Sequence, residues 1–248
     1  IEDWIRDGLP MPDEPPPAAV DRPDARATHW AFQPVRDHEP PAIADPRRAW
    51  TDVDRFLLAG LDAAGIAPVA DATPAALLRR VHLDLSGLPP EPEEVATFLA
   101  DPSRERFAAT VDRLLDSPRF GERWGRHWLD VARYAESSGK ETDFAYPHAW
   151  RYRDYVIRAM NDDMPFDQFA MEQIAGDFFR ARDDRERAEL LVATGFLAIG
   201  PKSHGERNRL QFEMDVVDEQ IDAVTQAFLG LTVACAGSGR RPAPVRPA

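Results

Sequence analysis

One short stretch of the sequence holds the side chains best suited to acid–base chemistry. Its members are spaced by four, three and four residues, which places them on one face of a helix: Arg123, His127, Asp130 and Tyr134. An aspartate one turn from a histidine can orient the imidazole for proton transfer, so His127 and Asp130 are candidate catalytic residues. The same spacing suits a structural set of ion pairs, and this interpretation is favoured because such side chains most often satisfy one another.

A polar loop follows this stretch, between residues 136 and 143. Its charged side chains are Glu136, Lys140, Glu141 and Asp143. Carboxylates in a loop after a helix can hold a cation or act as a general acid or base, which adds Glu136 and Asp143 to the catalytic candidates. A solvated loop without chemistry is the alternative, and it is favoured.

A basic and aromatic cluster lies at residues 148–155, where arginines and aromatic residues crowd the start of a helix. Arginine stacked on an aromatic ring is common in structural roles and also lines anionic pockets, and the structural role is favoured. The other histidines lack a second ligand at helical or hairpin spacing, so no metal site is expected at His29, His38, His82 or His204.

The composition limits the classes of partner. The 248 residues include 43 Asp and Glu against 30 Lys and Arg, a formal net charge of −13. A surface this acidic repels phosphate backbones, so nucleic acid is not an expected partner, and no apolar run reaches the roughly 18 to 20 residues of a membrane-spanning helix. The single cysteine, Cys235, excludes an intrachain disulfide framework. Signature motifs of the common hydrolases, kinases and dehydrogenases are absent.

Helical periodicity provides the elements that must position these residues. Between residues 49 and 234 apolar side chains recur at three- and four-residue spacing, and prolines fall between the periodic segments. The sequence therefore predicts an all-α domain over residues 49–234, a multi-helix orthogonal bundle. Thr51 and Thr73 are expected to cap helices. Trp124 and Trp128 lie one turn apart and are expected to be buried as the anchor of the core.

The two ends of the chain differ from the helical region. Residues 1–12 read as the end of a helix, and residues 13–48 form an extended proline-rich linker. Within the linker, Trp30 and Phe32 of segment 29–34 are expected to dock onto the domain that follows. In residues 235–248 glycine and proline interrupt any helix repeatedly, so this tail is predicted to be disordered or aberrant.

Several motifs together resemble a known family. They are RRVHLDLSGLPPEPEEV at 79–95, VDRLLDSPRFGERW at 111–124, HWLDVARY at 127–134, AWRYRDYVI at 149–157 and FLGLTV at 228–233, with HWAFQP upstream at 29–34. On these residues the chain resembles the planctomycete cytochrome-c-associated helical domain, the domain of unknown function 1549, over roughly residues 29–235. The number and order of the motifs argue against a chance similarity.

The resemblance implies a setting for the domain. Such proteins are large secreted or membrane-attached bacterial proteins, with a cytochrome-c-like domain before this region and another domain after it. An extracytoplasmic location follows, and residues 1–12 would be the closing helix of the upstream domain. Both flanking domains of the full-length protein are then expected partners.

The resemblance also implies a haem site that this chain has lost. In the family the FLGLTV segment usually leads into Cys-x-x-Cys-His, the attachment motif of c-type haem. Here Cys235 stands at the first cysteine, but Ser238 and Gly239 replace the second cysteine and the histidine. We therefore expect haem in intact relatives and no functional haem in this chain. Truncation, a frameshift or genuine divergence of the tail would each explain the difference.

Three functions stay open on the sequence. The preferred one is a structural, haem-organising module of an extracytoplasmic c-type-cytochrome-like protein, with aromatic side chains excluding water from a haem attached after Val233. The second is a carbohydrate-active or other hydrolytic enzyme domain that uses His127, Asp130 or the loop carboxylates. The third is a module that binds a glycan or a protein through exposed aromatic side chains.

Overall fold

The computed structural model describes residues 25–140 and 142–233, which fall into two compact units. The first unit ends at Ala70 and the second begins at Asp71. The described residues form helices and no strand, which confirms the predicted all-α class. The predicted segments 1–12 and 235–248 lie outside the described residues.

The first unit contains one longer helix. Its elements are α1 (Ala25–Thr28), 3-10 turns at Trp30–Phe32 and Pro46–Arg48, and α2 (Asp52–Ala64). Thr51 caps α2 as predicted, because its hydroxyl accepts a hydrogen bond from the Asp54 N–H at 3.3 Å while the Asp54 carboxylate accepts from the Thr51 N–H at 2.8 Å. Helix α2 belongs to this unit, although the predicted helical domain begins at residue 49.

The aromatic segment of the linker is exposed. Trp30 and Phe32 belong to a 3-10 turn capped by His29, and the ring contacts they make are with that histidine. Docking of segment 29–34 onto the following domain therefore stays a prediction.

The second unit is a bundle of helices. In chain order these are α3 (Pro74–Leu85), α4 (Pro92–Ala100), α5 (Arg104–Leu115), α6 (Pro118–Val131), α7 (Trp150–Asn161), α8 (Phe166–Ala175), α9 (Asp184–Ala193), α10 (Gly195–Ala198) and α11 (Arg209–Val224). Polar N-caps set many of the starts: Thr73, Ser103, Ser117, Asp183 and Asn208 each accept a hydrogen bond from a backbone N–H of the first turn.

The close approach of α6 to α7 organises the core of this unit. Gly121 and Gly125 face α7, and the Gly121 N–H donates to Oδ1 of Asn161 at 2.7 Å. A side chain at Gly121 would overlap the Ile157 carbonyl oxygen, so the two backbones can approach this closely only at glycine. The buried residues that gather around this contact are Leu129, Ala132, Tyr152, Tyr155, Val156, Ala159, Phe169, Ala193, Phe196, Ile199 and Ala223.

The buried face of α6 differs from the predicted one. Trp128 packs against the core as expected, but Trp124 is 42% exposed and contacts the rings of Phe120 and His127. The prediction that Trp124 anchors the core is therefore wrong. The reason is that the glycine side of α6 meets α7, which turns the Trp124 side toward solvent.

Helix α6 ends at Val131, before Tyr134, which its spacing had placed on the same helix face as Arg123. Arg133 has a φ of 55°, in the left-handed region, and the Tyr134 N–H donates to the Leu129 carbonyl at 2.9 Å. This is the usual hydrogen bond of a helix that ends on a left-handed residue, a position where glycine is the common choice. An arginine in this conformation destabilises the folded backbone by about 1 kcal/mol. We therefore expect its side chain to make contacts that offset this cost.

Candidate functional site

The centre of the second unit holds a hydrogen-bonded network of side chains. Trp128 Nε1–H lies 3.0 Å from the Tyr152 hydroxyl and 3.3 Å from Oε1 of Gln173, and the Tyr152 hydroxyl donates to the same oxygen at 2.6 Å. Tyr152 and Gln173 are buried. These hydrogen bonds join α6, α7 and α8 at one point. They stabilise this arrangement of the helices, because a buried polar group without a hydrogen bond would destabilise the fold.

A second buried network lies beside the first. The Tyr155 hydroxyl donates to Oε2 of Glu172 at 2.9 Å, and Gln168 Nε2–H donates to Oε1 at 2.8 Å. The rings of Tyr152 and Tyr155 stack with their centroids 6.4 Å apart, so the two networks are in contact. Neutral donors thus hold a buried carboxylate between α7 and α8, which fixes the position of α8.

Aromatic rings surround Trp128 on its other sides. Their centroids lie 4.9 Å (Phe169), 5.6 Å (Phe228), 5.9 Å (Phe196) and 6.4 Å (Phe166) from the indole. We call these five residues the Trp128 cluster. Phe228 reaches the cluster from a π-helical turn, Thr225–Leu229, that follows α11 directly. Such turns re-aim side chains and are frequent at functional sites.

The Trp128 cluster fixes the segment that runs toward Cys235. Beyond the π-helical turn, the Leu231 N–H donates to the Thr225 carbonyl at 3.1 Å and the Val233 N–H donates to Oδ1 of Asp222 at 3.3 Å. These bonds hold the chain to Val233, the last residue described. Next to this segment an apolar surface faces solvent, since Phe166 and Leu229 are each 64% exposed.

A charged cluster holds α11 in place. Glu219 of α11 pairs with Arg133 through Oε1 and with Lys202 Nζ through Oε2 at 3.4 Å, and the Lys202 and Glu219 side chains are largely buried. Gly200 leaves the space that the Glu219 carboxylate occupies. The cluster therefore explains the left-handed arginine at position 133, because its guanidinium ties the end of α6 to α11 and to the loop of Lys202.

The helix face predicted for acid–base chemistry is only partly assembled. Asp130 accepts a hydrogen bond from Arg126 Nε–H at 3.0 Å and not from His127, whose exposed ring contacts Trp124 with centroids 5.4 Å apart. The Arg123 side chain packs beside Gly87. Tyr134 leaves the face because α6 ends at Val131. The expected orientation of His127 by Asp130 is not observed, and a catalytic role for either stays a prediction.

The loop carboxylates have structural partners. Glu136 Oε1 accepts from the Tyr134 hydroxyl at 2.9 Å and lies 3.5 Å from Arg153 Nη1, while Asp143 Oδ1 accepts from the Gly139 N–H at 2.8 Å. Lys140 is exposed, and Glu141 lies outside the described residues. Within residues 25–140 and 142–233, no three His, Cys, Asp or Glu side chains come together as metal ligands would. Both loop carboxylates hold the loop in shape.

The basic and aromatic segment lies beside an apolar cleft. Arg151 lies over the Trp150 ring, 5.5 Å from its centroid, whereas Arg153 pairs with Asp154 at 2.8 Å. The cleft has a volume of about 430 Å³ and is lined by Tyr146, Pro147, His148, Ala149, Arg151, Tyr152, Leu191, Val192, Gly195, Ala198 and Ile199. These contacts agree with the structural interpretation of the segment.

The scattered histidines have separate surroundings. The exposed His204 ring packs between Phe144 and Phe212, with centroids at 5.2 and 5.9 Å. His82 is buried, with Nε2 3.0 Å from Oε1 of Glu94. His38 is exposed in the first unit. Cys235, the remaining predicted site residue, lies outside the described residues.

The pKa of each of the four tyrosines of the chain is raised above that of a free phenol, so the titration of the protein tests its packing. Burial raises the pKa of Tyr152, Tyr155 and Tyr146 above that of a free phenol, and burial with the Glu136 hydrogen bond raises the pKa of Tyr134 to about 12. A pKa raised by folding stabilises the protein below the unfolded value of about 10, and this stabilisation disappears as the pH rises toward the folded value.

We therefore expect tyrosinate absorbance and loss of helical circular dichroism to appear together, in one transition above about pH 10. Both signals are recorded on the same samples during a pH titration. Tyrosinate that forms near the ordinary pKa while the helical signal is intact would show that the hydroxyls are accessible, and would contradict the packing described.

Three polar residues of this site were not among the candidate site residues predicted from the sequence. Gln173, Glu172 and Glu219 are polar residues on helices, and helical polar residues usually face solvent. The only sequence signal for a buried polar residue of this kind is its position on the apolar side of a helical pattern. It became interpretable only when its partners were known, since the Arg133 and Glu219 side chains that meet are 86 residues apart in sequence.

These features define the class of protein as a helical module in which the central hydrogen bonds and aromatic contacts hold the helices together. A family model matches residues 52–237, and the chain belongs to that family, PSCyt2, which is described as a protein of unknown function (DUF1549). No curated protein and no solved structure is significantly similar to the chain. Among the described helices, none combines the length and the apolar character needed to cross a lipid bilayer.

Proposed function

We propose that the second unit is a structural, haem-organising module of an extracytoplasmic, planctomycete-type c-type-cytochrome-like protein. The observation that carries the proposal is the fixed position of the segment leading to Cys235. Phe228 is half-buried and contacts the rings of Trp128, Phe196 and Phe166, with centroids 5.6, 5.6 and 6.4 Å away. A rigid, apolar base at the point of attachment is what a covalently bound haem needs to exclude water from one side.

The residues of this chain do not fit covalent haem itself. The attachment motif needs a second cysteine and a histidine, and the chain has Ser238 and Gly239 at those positions. His204 is a poor substitute, because its ring is packed between two phenylalanines. The proposal is therefore that the chain keeps the supporting structure and lacks the attachment residues.

The neighbouring apolar surface supports the same role. Phe166 packs against Phe228 and Leu229 follows Phe228 in the chain, and both are exposed, so they are apolar side chains available to a planar group carried by the following segment. Exposed apolar side chains around an ordered chain segment commonly mark a binding surface. The flanking domains of the full-length protein are the partners proposed for this module.

Restoring the motif tests this proposal. We expect the natural chain, expressed with the haem-maturation machinery, to show no stable covalent haem in a pyridine haemochrome spectrum. The double variant Ser238→Cys with Gly239→His recreates Cys-x-x-Cys-His after Ala234, and we expect it to carry close to one haem per chain. A folded double variant without haem would refute the supporting role, whereas stoichiometric haem in the natural chain would refute the claim that it lacks the residues needed for attachment.

A matched pair of surface variants tests the contact itself. In the restored background, Phe166→Ser is expected to lower the midpoint potential of the haem, because water at the haem stabilises the ferric form. Phe178→Ser is the control, since Phe178 is also an exposed phenylalanine but does not belong to the Trp128 cluster. Equal potentials for the two variants would mean that Phe166 does not face the haem.

A further inference from the structure

Helix α11 is apolar on two opposite faces. Its inner face carries Phe212, Val216 and Ala223, which are buried or half-buried in the unit. Its outer face carries four apolar side chains that are 42% to 67% exposed: Leu210, Met214, Val217 and Ile221. A surface helix needs one apolar stripe to pack on its own domain, so the second stripe is not explained by the fold of this unit.

The outer stripe has the spacing of a helix–helix interface. Its residues follow one another at intervals of four, three and four, which is the alternation of the two core positions of a heptad repeat. They lie within a narrow arc of the helix surface and extend over about 16 Å of its length. We call these four residues the outer seam. A second helix packed along α11 would bury all of them together.

Charge defines the partner of the outer seam. Asp218 flanks the seam on one side and Glu213 on the other, where Glu213 also accepts from Arg209 Nε–H at 2.8 Å, and both carboxylates are exposed. Over its whole length α11 has one arginine against five carboxylates, of which Glu219 is paired on the inner face with Arg133 and Lys202. A second copy of this helix would bring like charges together along the seam, whereas Lys or Arg on the facing helix would pair with them.

We propose that the outer seam of α11 docks an amphipathic helix of a partner protein whose apolar stripe is flanked by lysine or arginine. The inference goes beyond the proposed haem-organising role and uses a different surface, because the outer seam ends at Ile221, before the π-helical turn and the Cys235 segment. The two proposals can therefore fail separately.

Two synthetic peptides provide the test. Both are helices of about three heptads with leucine at the core positions, and they differ only in flanking lysine or flanking glutamate. Binding to the full chain is followed by fluorescence anisotropy. We expect the lysine peptide to bind at least about tenfold more tightly than the glutamate peptide, and added salt to reduce this difference.

Variants of the chain locate the contact. Val217→Glu is expected to weaken binding of the lysine peptide about tenfold or more, because it places a carboxylate in the apolar seam. Leu115→Glu on α5 is the control and should bind as the natural chain does, since its side chain has the same exposure, 41% against 42%, away from α11. Asp218→Lys should shift preference toward the glutamate peptide, and its exposed position leaves folding intact.

Three outcomes would overturn the proposal. Equal binding of the two peptides would mean unspecific apolar contact, and absence of lysine-peptide binding by a folded chain would exclude the partner proposed. A chain that forms a dimer in light scattering, and returns to a monomer with Val217→Glu, would show that a second copy covers the seam. Circular dichroism of each variant confirms that the fold is kept, and Asp218→Lys decides the matter if Val217→Glu unfolds.

Discussion

Replacement of Trp128 by alanine is expected to lower the free energy of unfolding by about 3 to 5 kcal/mol, the usual effect of removing a large aromatic side chain from a core. Trp128 donates a hydrogen bond toward Tyr152 and Gln173 and contacts four phenylalanine rings, so its removal leaves a cavity and takes the indole donor from the buried network. A domain of marginal stability would unfold at physiological temperature.

Trp124→Ala is the matched control for this prediction. It removes the same side chain from the same helix one turn away, but Trp124 is exposed to solvent and contacts surface rings. We expect a loss of about 1 kcal/mol, because less apolar surface returns to water. Urea unfolding followed by circular dichroism measures both variants, and equal losses would mean that the buried side of α6 is assigned incorrectly.

Gly121→Ala should destabilise the protein by about 2 to 3 kcal/mol, although alanine favours a helix over glycine by about 1 kcal/mol. The added methyl group would overlap the Ile157 carbonyl oxygen and lie 2.6 Å from the side-chain amide of Asn161. Relief requires α6 and α7 to separate, which weakens the contact between Gly121 N–H and Asn161 as well.

Gly125→Ala tests the same interface at a position where the contacting atom belongs to a side chain and not to the backbone. Its methyl group would meet Cγ1 of Ile157 at 3.3 Å, and that atom belongs to a side chain that can adjust. We expect a change within about 1 kcal/mol of the natural protein, since the gain in helix propensity offsets the crowding. Thermal or urea unfolding of both variants gives the comparison. If Gly121→Ala is as stable as Gly125→Ala, the close approach of the two helices at Gly121 is not as described.

The haem-organising proposal and the docking proposal concern two different surfaces around α11. The Trp128 cluster fixes the end of α11, and the outer seam occupies the exposed side of the same helix. Glu219 holds this helix from the inner side through Arg133 and Lys202. Both proposals involve α11, the first at the turn that follows its end and the second along its exposed side, so each can be tested without the other.

The sequence by itself determined the features that depend on near neighbours. The all-α class followed from three- and four-residue apolar spacing, and the caps at Thr51 and Thr73 followed from side chains that bond the first turn of their own helices. Family membership was also available, because its motifs are continuous stretches. Each of these signals is local, so the chain does not need to be folded for it to be interpreted.

Only the tertiary structure decided which faces meet. The aromatic pattern of α6 favoured burial of Trp124, but glycine permits a closer backbone approach than any side chain, and the Gly121–Gly125 side therefore packs against α7. Likewise Trp128 finds its partners 24 and 45 residues away, in Tyr152 and Gln173, and Arg133 finds Glu219 on α11. Such pairs form when distant segments pack together. The spacing of residues within one segment does not determine which distant side chain it will contact.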